Sequence, residues 1–363
     1  MSALPAQNTI QESGPSPVSS SKNVFVQAAK FALAAGVVLY LIFHGDISWE
    51  PLRASMAEWQ FSIPAFLLLA LTPLGQLWRW QNLLRAGGVS LPNRDVFSFL
   101  MISKFFNMAF PGYVSGDILR GWYIFRRGRV QANGIPVAET ERGKTAPPTV
   151  VASIVFDRAA GLFPLFVLSL AGLLGVFWHP LPAKIVLTVG LVAGGGVAAM
   201  LLLFLFAYWL PRPPELLLRL AKRIHCEASL KYLQEVTRDY VRDLPLIARI
   251  VGISFLTQGA GLASFVLFGW ALKVDLPLAA YLIVVPLGLM LVAVPIAPAG
   301  LGVGQVAFLS LFHFMGTSQG ANLFTLYMAS FVFINLSGAF LYMGAPVPSL
   351  FGRSPAKLDK QTE

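Results

Sequence analysis

Residues 104–120 read KFFNMAFPGYVSGDILR, and the helix break in this stretch organises the segments on either side. An apolar segment ends at Pro111-Gly112, and a second helix is predicted to follow. Asp117 and Arg120 are three residues apart, which places them on one face of that helix. Asp117 also lies near its start, where the helix dipole favours a negative charge. The pattern fits either a binding element or a helix cap with a local ion pair at a membrane interface.

The composition of the chain indicates a membrane protein. Of its 363 residues, 56% are hydrophobic and 12% are charged, and the mean hydropathy is +0.67. Soluble domains carry about 25% charged residues. Half that share is too small to cover a soluble surface, so the composition excludes soluble enzymes, disordered chains and fibrous proteins. The class that is left is an all-α polytopic membrane protein.

Cysteine and histidine are scarce in this chain, with one Cys and four His. Cys226 is the only cysteine, so a disulfide within the chain and a cysteine-based metal site are excluded. No HExxH motif occurs. The histidines are scattered through the sequence: His44, His179, His225 and His313. We therefore expect no cofactor and no metal site.

The net charge of +10 comes from 27 Lys and Arg against 17 Asp and Glu. No basic face with interleaved aromatic residues is apparent, so nucleic acid is not an expected partner. Positive residues that accumulate on the cytoplasmic side, near anionic lipid headgroups, account for the charge. The expected partners are anionic membrane lipids, together with a second copy of the chain or a lipid-biosynthesis enzyme.

Apolar runs long enough to cross the membrane recur along the chain. A transmembrane helix needs roughly 20 mainly apolar residues. Seven segments qualify as predicted spans: Val24–Phe43, Ile63–Trp78, Val150–Trp178, Ile185–Leu210, Leu246–Leu272, Leu278–Ala297 and Asn322–Met343.

Two further apolar segments predict re-entrant or broken helices. Val96–Tyr113 contains Lys104 and Asn107 and ends at Pro111-Gly112, while Pro298–Met315 is short and begins with Pro298-Ala299-Gly300. Paired, interrupted segments with polar residues are the best sequence pointer to a transporter binding site. The alternative is two ordinary kinked spans.

The distribution of basic residues predicts the orientation. Segments 79–95, 117–149 and 212–249 are rich in Lys and Arg, which favours the cytoplasmic side for them and for the N-terminus. Both ends of Val96–Tyr113 adjoin such segments, so a hairpin entering from the cytoplasm fits the charges better than a single crossing.

We predict one transmembrane domain, residues 23–346, between a disordered N-terminal tail, residues 1–22, and a C-terminal tail, residues 347–363. Residues 212–245 alternate leucines with Lys and Arg at near-helical spacing. They predict an amphipathic helix or helix pair on the inner leaflet, or a solvated cytoplasmic linker.

A second charged pattern, SIVFDRAAG at residues 153–161, lies near the start of a predicted span. Charges inside a membrane usually pair and face the protein interior. Adjacent helical residues do not face each other, so Asp157 and Arg158 need other partners, and Arg120 and Asp117 are the candidates. The result would be a nearly neutral cluster of two Asp and two Arg. One of its arginines could bind a lipid phosphate through two hydrogen bonds. Alternatively, Asp157 and Arg158 only anchor the span at the interface.

A third pattern, VPIAPAGLGVGQ at residues 294–305, is rich in glycine and proline. A dinucleotide site would need a preceding strand, and none is predicted. Within an apolar protein, these glycines let the backbone line a cavity. A helix beginning at Gly302 would direct its positive end towards an anion.

Together the three patterns resemble the lysylphosphatidylglycerol synthase transmembrane family, a flippase-like membrane family. The resemblance rests on the order and spacing of Phe106-Asn107, Pro111-Gly112, Gly116-Asp117 and Arg120, then Asp157-Arg158 with Gly161, then Pro298 and Gly300-Leu301-Gly302-Val303. It extends from about Val24 to Met343. The sequence departs from many relatives at Gln305, where they carry an acidic residue, which puts a proton-coupled step there in doubt.

The resemblance implies a multi-pass inner-membrane protein that moves lipids. The chain ends soon after its last predicted span, so we expect no soluble aminoacyl-transferase domain and no synthesis of lysyl-lipid. The expected substrate-binding residues are Asn107, Pro111, Gly112, Gly116, Asp117, Arg120, Asp157, Arg158, Pro298, Gly300, Gly302 and Gln305.

Three functions fit these residues. The first is a flippase that moves an anionic phospholipid or a polyprenyl-linked lipid between leaflets, with Arg120 and Arg158 holding the phosphate. The second is a membrane-embedded lipid-modifying enzyme that uses Asp117 or Asp157 as a base or nucleophile. The third is a non-catalytic partner of a lipid-biosynthesis enzyme.

Overall fold

The computed structural model describes residues 49–109, 114–132, 147–177, 182–209, 215–223, 227–293 and 302–344. Within these ranges the chain forms α-helices and one 3₁₀ turn, Leu174–Phe177, without any strand. The all-α class is therefore confirmed. The helices are α1 (Trp49–Ala57), α2 (Trp59–Ala86), α3 (Asn93–Ala109), α4 (Val114–Ala132), α5 (Pro147–Leu173), α6 (Ala183–Trp209), α7 (Glu215–Arg223), α8 (Glu227–Arg242), α9 (Leu244–Ala271), α10 (Leu278–Ala293), α11 (Val303–His313) and α12 (Gly320–Gly344).

Among the described residues, five helices are long and apolar enough to cross a membrane: α2, α5, α6, α9 and α12. Each overlaps one of the predicted spans. The predicted span Val24–Phe43 lies outside the described residues. Leu278–Ala297 begins with α10, whose 16 residues are fewer than the roughly 20 that a crossing needs.

Helices α3 and α4 form an antiparallel hairpin. The side-chain oxygen of Asn107 accepts a hydrogen bond from the Gly116 amide at 2.9 Å. Ser115 donates to the Phe106 carbonyl at 3.3 Å, and further from the tip the rings of Phe99 and Tyr123 stack at 5.1 Å. The described part of the predicted Val96–Tyr113 segment is thus one arm of a helical hairpin, and residues 110–113 lie outside the described residues. Its entry from the cytoplasmic side stays a prediction.

Gly338→Ala is expected to destabilise the protein. Helix α12 crosses α3 at Gly338, where an added Cβ would meet the Met101 carbonyl and lie 2.9 Å from the Cβ of Phe105. The backbone of α3 cannot yield without moving the hairpin, and overpacking of this kind costs about 1–3 kcal/mol. Thermal denaturation in detergent measures the effect, with Gly252→Ala as control because nothing lies within 4 Å of an added Cβ there. Equal midpoints for the two variants would contradict the close crossing.

The amphipathic segment predicted at residues 212–245 contains two helices, α7 and α8, and α8 packs on the bundle. Val236, Tyr240 and Val241 are buried. The Tyr240 hydroxyl donates to the Leu83 carbonyl at 2.8 Å, and its ring meets Phe156 edge-on at 5.2 Å. Burial raises the pKa of Tyr240, which keeps the hydroxyl protonated as a donor. A wholly solvated linker does not fit this packing, because α8 belongs to the folded core.

Helix α11 begins at Val303, and Gly302, where the sequence predicted the helix start, is its N-cap residue. Gly302 has φ of 76°, a backbone conformation that favours glycine. Its amide donates to the side-chain oxygen of Gln305 at 2.7 Å. Further along α11, the Phe308 ring stacks on Phe265 and Phe324 at 5.2 and 4.8 Å, which ties the short helix to α9 and α12.

Candidate functional site

A cavity of about 500 Å³ lies between α2, α3, α4, α5, α9, α10 and α12. One part of its wall is charged and comprises Arg79, Lys104, Asp117, Arg120, Asp157 and Arg158. Another part is apolar or aromatic and includes Leu162, Leu289, Val292, Phe324, Tyr327 and Phe331. The cavity is therefore amphipathic, which suits a ligand with a charged group attached to an apolar body.

Asp157 on α5 bridges two arginines from other helices. Its Oδ1 accepts from Arg79 Nε at 2.7 Å, and its Oδ2 accepts from Arg120 Nη1 at 3.1 Å. The three side chains are only 7%, 7% and 3% exposed for Asp157, Arg79 and Arg120. A buried charge without partners is strongly unfavourable, so this bridge holds α2, α4 and α5 in register.

Asp117 on α4 extends the bridge into a row of five alternating charges, which we call the charge ladder: Arg79, Asp157, Arg120, Asp117 and Arg158. Its Oδ2 accepts from Arg158 Nε at 2.8 Å. Arg120 Nε lies 3.1 Å from Asp117 Oδ1, although this buried nitrogen makes no hydrogen bond. The Arg158 side chain is 43% exposed, so the ladder runs from the buried Arg79 to a partly open end.

The pairing expected from the sequence is present, because Arg120 contacts Asp157 and Arg158 contacts Asp117. The expected near-neutral charge is wrong, because Arg79 adds a third arginine. Sequence reasoning assigned Arg79 to a cytoplasmic loop after a span ending at Trp78. Instead α2 continues to Ala86 and Arg79 is buried. The helical spacing of apolar residues continues beyond Arg79 with Trp80, Leu83 and Leu84. This continuation was the signal in the sequence that the helix extends past Trp78.

Neighbouring residues fix the arginines in place. Arg79 Nη1 lies 3.2 Å from the Ser254 hydroxyl. Gly161 leaves room for the guanidinium of Arg79, since a Cβ there would lie 3.4 Å from both of its Nη atoms. The Arg120 guanidinium lies 4.6 Å from the Trp80 ring, a cation–π contact, and Trp80 in turn donates to the Ser153 hydroxyl at 3.2 Å.

Lys104 on α3 also lines the cavity. Its ammonium lies 5.5 Å from the centroid of the Phe331 ring. Among the described residues, no carboxylate forms an ion pair with it. From the sequence, Lys104 was expected only as a polar residue of the broken segment and was not among the predicted site residues.

The other predicted site residues divide into three groups. Asn107 lines the cavity while it holds Gly116 at the hairpin. Gly302 and Gln305 are not among the cavity-lining residues, and their mutual hydrogen bond uses the Gly302 amide that was expected to face an anion. Pro111, Gly112, Pro298 and Gly300 lie outside the described residues.

The comparisons with known proteins agree with this architecture. The family described as lysylphosphatidylglycerol synthase TM region matches residues 27–338. No curated protein and no solved structure matches the chain. The matched range includes the α3–α4 hairpin, the whole charge ladder and the cavity. The chain therefore belongs to the lysylphosphatidylglycerol synthase TM region family.

Proposed function

We propose that this protein moves an anionic phospholipid or a polyprenyl-linked lipid between the leaflets of the inner (plasma) membrane. The observation that carries the proposal is a ladder of five alternating charges that borders an amphipathic cavity within a polytopic helical bundle. The N-terminus is cytoplasmic in this proposal, as the distribution of basic residues predicts.

The energetics of charge burial support this function. Ionised side chains within membrane proteins are costly and mark substrate or ion pathways. A lipid phosphate faces the same cost when it crosses the hydrocarbon core, and the charged wall would lower it. A cavity of about 500 Å³ is within the usual range for small-ligand pockets. It therefore suits a headgroup, while the acyl chains stay in the bilayer.

The arginines have the geometry needed to hold a phosphate. Each is oriented by a carboxylate, so little side-chain entropy is lost when an anion binds. Arg158 is at the more exposed end of the ladder, where an entering headgroup would meet it first. Arg120 lies deeper and, with Arg158, is proposed to hold the phosphate during passage.

The same contacts disfavour a lipid-modifying enzyme. Both carboxylate oxygens of Asp157 already accept hydrogen bonds from arginines. Asp117 likewise lies between Arg120 and Arg158. A carboxylate paired with two arginines is held in its ionised form by those charges and is a weak general base or nucleophile.

Purified protein in vesicles containing fluorescent phosphatidylglycerol tests the proposal, and the measurement is the loss of inner-leaflet fluorescence after a membrane-impermeant quencher is added outside. We expect wild type to expose inner-leaflet lipid and Arg158→Ala to slow this by about tenfold or more, since a charge-assisted hydrogen bond contributes about 1.5–3 kcal/mol. Arg249→Ala is the matched control, because Arg249 is an exposed arginine that does not line the cavity.

Two results would contradict transport. One is a wild-type rate equal to that of protein-free vesicles, which would favour a non-catalytic partner of a lipid-biosynthesis enzyme. The other is a chemically altered lipid, found by mass spectrometry after incubation with the purified protein, which would favour an enzyme. Full activity in Arg158→Ala would leave transport intact but remove Arg158 from the binding site.

A further inference from the structure

The cavity has an excess of positive charge. Four cations and two carboxylates line it. Each carboxylate is shared by two arginines. The arginines alone exceed the carboxylates by one, and Lys104 adds a second positive charge when it is protonated.

Lys104 differs from the arginines because no described carboxylate pairs with it. Asn107 lies three residues after Lys104 on the same face of α3, and both side chains line the cavity. Segments 110–113 and 294–301, which adjoin cavity-lining helices, contain no Asp or Glu in their sequence. An ammonium in a membrane protein needs a counter-charge, and a bound anion can supply it.

We propose that Lys104 sets the headgroup specificity of the cavity by binding the phosphate of a net-anionic lipid and disfavouring lipids with an aminoacylated headgroup. This inference rests on the proposed function and narrows its substrate class. The ammonium of lysine is a compact point charge with rotatable donors. It can follow a phosphate through several orientations, whereas the arginines are fixed by their carboxylates.

Exclusion of aminoacyl lipids follows from the same charges. The headgroup of lysylphosphatidylglycerol carries two ammonium groups and one phosphate, so it is net positive. Its ammonium groups would need a carboxylate, and Asp117 and Asp157 are both engaged by arginines. Phosphatidylglycerol has a net negative charge, which offsets the excess positive charge of the cavity. The substrate of this protein is therefore expected to differ from lysylphosphatidylglycerol, the lipid in its family's name.

Competition for binding tests this inference without requiring transport. Purified protein is incubated with equal amounts of phosphatidylglycerol, phosphatidylethanolamine and lysylphosphatidylglycerol, and the bound lipids are counted by native mass spectrometry. We expect wild type to retain phosphatidylglycerol over lysylphosphatidylglycerol by about tenfold or more, corresponding to one charge-assisted contact. Lys104→Gln should reduce this ratio towards one, and Lys104→Arg should keep most of it.

Lys184→Gln is the matched control, because Lys184 is exposed on α6 and does not line the cavity. Equal retention of the two lipids by wild type would overturn the inference whether or not Lys104→Gln folds. An unchanged ratio in a folded Lys104→Gln protein would also overturn it. Selective binding without movement of lipid in vesicles would instead contradict transport and leave the specificity of Lys104 intact.

Discussion

Asp157→Ala is expected to prevent accumulation of the folded protein. Among the described residues, the substitution leaves Arg79 with the Ser254 hydroxyl, and Arg120 with Asp117 and the Trp80 ring. Both guanidinium groups are buried, at 7% and 3% exposure of the side chain. Removing one partner of a buried ion pair costs about 3–5 kcal/mol because the remaining charge is uncompensated. Here one carboxylate compensates two charges, so the upper end of that range is expected.

Fluorescence-detected size-exclusion chromatography and thermal denaturation in detergent measure this effect. Asp243→Ala is the matched control, since Asp243 is an exposed aspartate that caps α9 by accepting from the Leu246 amide at 2.9 Å. Loss of such a cap costs about 0.5–2 kcal/mol. If Asp157→Ala and Asp243→Ala give the same yield and the same denaturation midpoint, the bridge does not stabilise the fold.

A double substitution separates lost pairing from lost packing. Arg79→Met with Asp157→Leu removes both charges of one bridge and keeps the volume of the site, while Arg120 still contacts Asp117. Replacing a buried pair with apolar residues is often neutral for stability. We expect the double variant to recover much of the midpoint that Asp157→Ala loses. No recovery would mean that Arg79 stabilises the protein through contacts other than Asp157.

Arg120→Ala is expected to abolish lipid movement while the protein still folds. Each carboxylate keeps another arginine when Arg120 is removed, because Arg79 remains with Asp157 and Arg158 remains with Asp117. The charge ladder nevertheless loses its central residue, which contacts both carboxylates, and the Trp80 ring loses its cation–π contact. Misplacement of binding groups by about 1 Å reduces an enzyme's rate roughly a hundredfold, and we expect a loss of similar size here.

The vesicle assay and thermal denaturation, run together on the same preparation, test this separation of function from folding. Arg242→Ala is the matched control, because the Arg242 guanidinium also lies over an aromatic ring, 5.6 Å from that of Tyr208, but does not line the cavity. Arg120→Lys should not restore activity, since an ammonium cannot reproduce a planar fork between two carboxylates. Wild-type movement in Arg120→Ala would show that the ladder is structural only.

Much of the site could be predicted from short sequence patterns. Asp117 and Arg120 are three residues apart on one helical face, and adjacent Asp157 and Arg158 needed partners elsewhere. These local constraints were enough to predict two of the cross-helix pairs in the site, Arg120 with Asp157 and Arg158 with Asp117. Arg79 was missed because its neighbours in sequence resemble the end of a span. Only the packing of α2 against α5 and α9 shows that it is buried.

Gln305 shows a short pattern that is compatible with two different roles. Its place after a glycine-rich break predicted a binding residue, yet its side chain caps its own helix. The local sequence fits both outcomes, since a side chain three residues into a helix can reach either a ligand or the first amide. Its role in substrate binding stays a prediction.

The sequence by itself determined the all-helical membrane architecture, because composition and the length of apolar runs depend only on neighbouring residues. It also determined the helix break that forms the α3–α4 hairpin and the family of the chain. Only the tertiary structure decided which charges share a carboxylate and which cation is left without one. Arg79, Arg120, Asp157 and Lys104 come from different helices, and their pairing depends on how α2, α3, α4 and α5 pack around one cavity.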